Sequence, residues 1–317
     1  MVSSKNIQSF LKRSLHFGIF LPLSNLVINK GRNHISSKFL NKLSEKRNKK
    51  IQEVLIQSLG NLDFEIAESD TSDNVYKKAP IWWCWFQGID KLPLIPDLCL
   101  KSLQKHANGH PVNIITMDNI SNYVTFDKNI IEKLDKGVIS YAHFSDILRM
   151  ALVKKYGGLW IDSTVYVTKD LPDGIFSSEL FTIKTEAFGY FVSQCRWTGF
   201  CFAGQKNCPL AKGCSDLFEQ YWQNHNVLID YFMIDQTIDI LYKNSDRVRN
   251  MIDNVPFNNK SVHLLNKMLT TEFSAADFDK MTSDTYLFKL NWRTYSSDEL
   301  LANNNNYYHH LLNLIQA

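Results

Sequence analysis

YAHFSDILRMALVKKYGGLWIDSTV, residues 141–165, reads as a helix, a glycine pair and a short strand that ends on an acid. Ile147, Leu148, Ala151 and Leu152 recur at helical spacing, so one face is expected to be buried, with Ser145 or His143 at the helix start. Asp146 and Arg149 lie on neighbouring faces, about 60° apart around the axis. Lys154 and Lys155 suit the negative end of the helix, and the pair Gly157-Gly158 relieves the left-handed conformation that closes it. Leu159-Trp160-Ile161 is a short apolar run bounded by glycine and by polar Asp162-Ser163-Thr164, which predicts a buried strand. Ligands of open α/β sheets lie beyond the carboxyl ends of strands, and Asp162 falls at such an end.

The flanking chain repeats the alternation of strand and helix. Residues 81–86 form a continuous apolar and aromatic run that stops at Gln87-Gly88, and residues 112–116 predict a second strand. Further strands are expected at 181–183, 200–202 and 285–290. Helices are expected at 96–106, 130–136, 216–224 and 231–242. Such an order implies an α/β fold with a largely parallel central sheet. The expected organisation is a basic helical segment at 1–60, an Asp- and Ser-rich linker at 61–79, and one α/β domain at 80–317.

With 44% hydrophobic and 21% charged residues, the composition is that of an ordinary globular protein, long enough at 317 residues to bury a sizeable core. The net charge of +3 conceals an asymmetry, because residues 1–50 carry eleven basic side chains against Glu45 alone. That segment is therefore +10 and the remainder −7. Its apolar stretch around Phe17–Ile28 is interrupted by Pro22, Ser24 and Asn25 and is shorter than the ~20 residues that span a bilayer. No small-residue cleavage pattern follows it, so no signal peptide is expected. Two readings of residues 1–50 stand side by side: an interfacial segment on an anionic membrane, or helices packed on the main domain. Nucleic acid is not an expected partner, since the basic residues lie outside the α/β domain. The six cysteines form no CxxC pair, which fits reduced, buried thiols of a cytoplasmic protein rather than a metal cluster.

Four blocks carry a resemblance. The first is Ser145-Asp146-Ile147-Leu148-Arg149, Tyr156-Gly157-Gly158 and Leu159-Trp160-Ile161-Asp162. The second runs from Pro80 to Gly88 and continues through Pro96 and Cys99–Leu103. The third joins Arg196-Trp197-Thr198 to Ala203-Gly204, and the fourth is Tyr231-Phe232-Met233-Ile234-Asp235. In this order, over roughly residues 78–295, they resemble the capsular polysaccharide synthesis protein family. Those are DXD-type glycosyltransferases related to the yeast α-mannosyltransferases and the clostridial glucosylating toxins. The resemblance implies a GT-A-type nucleotide-sugar-binding fold with an added helical amino-terminal segment. It also implies transfer of a hexose, with retention, from a UDP- or GDP-linked donor to a glycan or lipid-linked acceptor. The expected place of work is the cytoplasm, at the inner face of the plasma membrane.

Site residues follow from the same likeness. Taken by themselves, Asp146 and Arg149 are an exposed or capping ion pair. By resemblance, Asp146 accepts hydrogen bonds from donor-sugar hydroxyls, and Arg149 reaches the sugar or a phosphate. Trp85 and Gln87 are implied near the nucleotide base, Ser145 and Gly158 in the donor-binding set, and Lys289 and Trp292 over the diphosphate. Asp162 is implied as the ligand of Mn²⁺ or Mg²⁺. The wider superfamily has Asp-x-Asp where this chain has Asp162-Ser163-Thr164, so the site is one negative charge short, and Asp235 is the residue that could restore it. His143 is expected to cap or support rather than act as a base. Related families show no obvious nucleophile, so no catalytic base is assigned. Transfer of a sugar 1-phosphate and an inactive scaffold of a polysaccharide assembly complex remain as alternatives.

Overall fold

The computed structural model describes residues 4–31, 34–58, 78–186 and 191–316. Of the expected linker, residues 61–77 lie outside the described residues. Three helices open the chain: α1 (Ser4–Phe17), α2 (Phe20–Gly31) and α3 (Ser37–Ser58). The α/β body follows with β1 (Ile81–Cys84), α4 (Leu94–Lys105), β2 (Val112–Ile115), α5 (Lys128–Asp135) and α6 (Tyr141–Tyr156). Next come β3 (Gly158–Ile161), β4 (Val165–Val167), α7 (Asp173–Ser177), β5 (Leu180–Thr182) and β6 (Cys201–Gly204). Helices α8 (Pro209–Asn224), α9 (Met233–Asn244), α10 (Asp246–Asp253) and α11 (Ala275–Thr282) lead to β7 (Leu287–Lys289), α12 (Ser297–Leu301) and α13 (Tyr307–Gln316).

The central sheet has the order β2-β1-β3-β6-β5. β1 pairs in parallel with β2 and β3, whereas β6 runs antiparallel to both β3 and β5. Four strands thus point one way and β6 alone opposes them, so the sheet is mixed α/β and mostly parallel. The three inner strands β1, β3 and β6 are buried on both faces, which explains their apolar runs, whereas the edge strand β2 is mostly half-buried and carries Asn113. Trp82, Trp160 and Phe202 face one core with Phe144, Leu148, Phe218 and Trp222, while Ile81, Trp83, Leu159 and Ile161 face the other. β4 and β7 form a separate two-stranded sheet with Val165 opposite Lys289.

Several boundaries differ from the sequence reading for local reasons. α6 starts at Tyr141, because Ser140 caps it by accepting from the His143 backbone N–H. It is also buried on more than one side: His143, Phe144, Leu148, Arg149, Met150 and Val153 are all buried. α4 starts at Leu94 with Pro96 inside its first turn, where a missing N–H costs nothing. α8 starts at Pro209, well before Asp216, since proline at the first position is preset for a helix.

The amino-terminal segment is not held apart from the body. α3 lies against α9, and Arg47 donates to Asp230 at 2.7 Å with both side chains buried. Gln52 donates to Gln236 and Asp239 at 3.1 and 2.8 Å. α1, α2 and the turn between them, in contrast, leave Ile7, Leu11, Leu15, Ile19, Leu23 and Leu26 exposed. Among the described residues no helix is long and apolar enough to cross a membrane. All six cysteines are buried and free.

Candidate active site

β3 ends where the sequence placed it, and the chain turns at Asp162-Ser163-Thr164 before entering β4. The turn is closed by the Val165 N–H on the Asp162 carbonyl at 3.0 Å, and Phe200 O accepts from the Asp162 N–H at 2.9 Å. The Asp162 carboxylate is gripped on both oxygens. Oδ1 accepts from Arg149 Nη2 at 3.0 Å and from the Trp160 indole at 2.9 Å, and Oδ2 accepts from Lys289 Nζ at 2.7 Å. Burial pushes the Asp162 acid up, but the charges of Lys289 and Arg149 outweigh it and hold the carboxyl below its ordinary range.

Arg149 joins two acids. Its Nη1 lies 3.1 Å from Asp146 Oδ1, and its guanidinium sits 5.1 Å over the Trp160 ring. At 4% exposure it is no surface ion pair, which corrects the bare reading of Asp146 and Arg149. Gly199 permits this placement, since a Cβ there would meet Arg149 Nη1 at 2.8 Å. Behind Asp146, the Trp222 indole donates to His143 Nε2 at 3.0 Å, which leaves the ring proton on Nδ1, 3.6 Å from Asp146 Oδ2. His143 is 2% exposed and supports Asp146 from within the core.

Asp146, Arg149 and Asp162 border a cavity of about 440 Å³. Ser145, Asp146, Arg149, Asp162, Asp235 and Lys289 all face it, as do Trp197, Thr198 and Gly199. Two polar atoms of its wall, Arg149 Nε and Thr198 Oγ1, are buried without a protein partner. A second cavity of about 540 Å³ adjoins it through Tyr231, His263 and Lys289. Its other walls include Thr164, Lys267, Trp292 and Arg293, and no carboxylate. Trp85 packs edge-on against Trp292 at 5.8 Å, beside this second cavity. Gln87 is exposed and lines neither cavity. Gly158 lines neither; it is buried in β3 against Pro80.

Asp235 occupies the first turn of α9, and its Oδ1 accepts from the Trp197 indole at 2.9 Å. Burial pushes its acid up to about 7, against the Trp197 hydrogen bond and with the help of the neighbouring Asp146 charge. The folded state therefore holds this proton in a range where the unfolded chain has lost it, so the contribution to stability falls as pH rises from about 4 to about 7. Asp235→Asn keeps the acceptor for Trp197 without the charge. Its melting temperature relative to the parent is expected to rise between pH 5 and pH 8, measured by thermal unfolding across that range. An offset that does not change with pH would refute a raised Asp235 acid.

The expected metal pair, Asp162 with Asp235, is poorly suited to a divalent ion. Such ions take about six oxygen ligands. Here Asp162 is engaged by two cations, and Asp235 bonds Trp197. Thr164 is buried, with its carbonyl accepting from the Leu290 N–H at 2.8 Å. Among the described residues no three His, Cys, Asp or Glu side chains gather as a metal-binding group. Sequence reasoning missed His263 and Phe200, which lie in irregular segments without a motif, and gave no role to Tyr231 and Phe232 at the rim.

The profile of a family described as "Capsular polysaccharide synthesis protein" matches residues 30–311, which includes α3 as well as the α/β body. No curated protein matches the chain. Among solved structures, one titled "PaToxG Glycosyltransferase" shares 16% identity at a TM-score of 0.35, covering 79% of this chain and 99% of that chain, an overlap too loose to assign the fold.

Proposed function

The chain belongs to the capsular polysaccharide synthesis protein family, and from that premise we propose that it is a glycosyltransferase of GT-A type. It moves a hexose, with retention, from a UDP- or GDP-linked donor to a glycan or lipid-linked acceptor of a growing capsular or exopolysaccharide. The observation that carries this reading is the pair of adjoining cavities that share Lys289. One presents carboxylates, an arginine and unpartnered polar atoms, which suit the hydroxyls of a sugar. The other presents His263, Lys267, Lys289 and Arg293 with no acid, which suits a diphosphate, and Trp292 with Trp85 offers rings beside a base.

In this reading the C1–O bond to the donor's β-phosphate breaks with its electron pair left on the phosphate oxygen. An acceptor hydroxyl oxygen bonds C1, and the proton of that hydroxyl leaves with the diphosphate. Lys289 at the junction of the cavities and Arg149 in the first of them are the cations that meet the developing charge, and Asp162 fixes both in place before the reaction begins. Asp146, braced by Arg149 and His143, receives sugar hydroxyls. The test is to supply UDP- and GDP-hexoses and measure the free nucleotide. Release of UDP or GDP is expected. Release of UMP or GMP would mean sugar 1-phosphate transfer, and no release from any donor, even with acceptor, would mean a scaffold.

The exposed stripes on α1 and α2 support attachment to the inner face of an anionic membrane. Ile7, Leu11 and Leu15 recur every fourth residue in α1, and Leu23 and Leu26 follow three apart in α2 with Ile19 in the turn between, within the segment of charge +10. Burying a leucine contributes about 1.5–3 kcal/mol, so replacing Leu11 and Leu15 with Glu is expected to weaken binding to phosphatidylglycerol vesicles by more than ~10-fold. Co-sedimentation measures it, and equal binding to neutral phosphatidylcholine vesicles would refute the electrostatic part.

A further inference from the structure

Sugar-nucleotide transfer needs positive charge at the departing diphosphate, and the commonest supplier is a divalent ion held by carboxylates. Building such a site on Asp162 would require breaking contacts already made. Lys289 Nζ and Arg149 Nη2 occupy its two oxygens at 2.7 and 3.0 Å, with the Trp160 indole as a third donor. Asp146 is committed to Arg149 at 3.1 Å, and the residue two after Asp162 is a buried threonine. Lys289 stands at the junction of the two cavities, with Tyr231 and His263, and lines both. An ammonium has three donors, and the pair with Asp162 uses one of them. Pairing with the half-buried Asp162 and packing 5.0 Å over the Phe200 ring hold it at that junction.

We propose that Lys289, backed by Arg149, supplies the charge that a divalent ion would bring, so that this chain binds the diphosphate of its donor without a metal. The inference rests on the glycosyltransferase reading above. It also gives Thr164 a physical meaning: a second acid at that position would put a carboxylate into the cavity that is otherwise lined without one, against the charge of a diphosphate. The leaving diphosphate then meets a fixed ammonium rather than an ion that must be recruited with the donor.

Calorimetric titration of the full chain with UDP and with GDP, once in excess EDTA and once in Mn²⁺, tests this. Affinities in the two buffers are expected to agree within about threefold, because an ion outside the site has no coupling to the ligand. Lys289→Ala is expected to weaken binding about 100-fold in both buffers, whereas Lys289→Arg keeps the charge and most of the affinity. Thermal unfolding of each variant checks that it is folded, and the comparison of buffers on the parent chain stands without them. Binding that vanishes in EDTA and returns with Mn²⁺ overturns the inference and leaves the glycosyltransferase reading intact. Failure of both nucleotides to bind in either buffer overturns the two together.

Discussion

Asp162→Asn is expected to lower the rate of sugar transfer by about 10²–10³-fold while the protein remains folded, a loss of the size seen when one preorganised electrostatic group is removed from an active site. The neutral amide can still accept from Arg149 and Trp160 on its oxygen, but its NH₂ faces Lys289, a donor against a donor. The ammonium then swings away from the junction of the two cavities. Arg149 keeps Asp146 and stays near its place, so donor affinity falls less than turnover. Steady-state rates with circular dichroism of the same samples decide the matter. Activity near that of the parent chain in a folded Asp162→Asn protein would remove Asp162 from the mechanism. The depressed Asp162 acid adds a pH signature. Its ion pairs contribute stability that is complete above the ordinary carboxylate range and is lost as pH falls from that range through the lowered value of the folded state, and the Asn variant lacks that dependence.

Gly158→Ala is expected to be the most damaging small substitution in the fold. Gly158 has φ +92°, a region that a residue with a Cβ rarely enters. The added methyl would overlap the Pro80 carbonyl oxygen and lie 2.9 Å from Pro80 Cγ. That carbonyl also accepts the Leu159 N–H at 2.9 Å, the bond that sets β3 beside β1. Relieving the clash therefore means shifting the strand that delivers Asp162. Backbone strain and the displaced pairing together cost about 4 kcal/mol or more, against a total stability of about 5–15 kcal/mol. The variant is expected in the insoluble fraction, or to melt at least ~10 °C below the parent. Gly174→Ala in α7 is the control: nothing lies within 4 Å of its added Cβ and its φ is ordinary, so its melting point should hold. A Gly158→Ala protein as stable as that control would show the strand can move without penalty.

Gly158 also illustrates what the resemblance blurred. It sits in a matched block and was expected among the donor-binding residues, yet its place is set by the approach of one strand to another. Gln87, expected near the base, is exposed and lines neither cavity. Motifs mark positions where a residue type is required, and close backbone packing requires glycine as strictly as a ligand does.

The sequence by itself determined the helix, the glycine turn and the strand that ends at Asp162, because periodicity, capping and positive-φ glycines act within a few residues. It also determined that Asp146 and Arg149 share one helix and that the main strands are buried on both faces. Tertiary structure alone decided the rest. Lys289 reaches Asp162 across 127 positions of chain, through the pairing of β4 with β7 in one register. Asp235 meets Trp197 because α9 packs beside the loop before β6, and Arg47 finds Asp230 because α3 lies on α9. The reversal of β6 within a sheet otherwise parallel has no local signal either. Each of these contacts joins segments whose own sequences would be satisfied by many partners. Which partner is met depends on how the buried faces interlock, a property of the whole core rather than of any stretch that can be read alone.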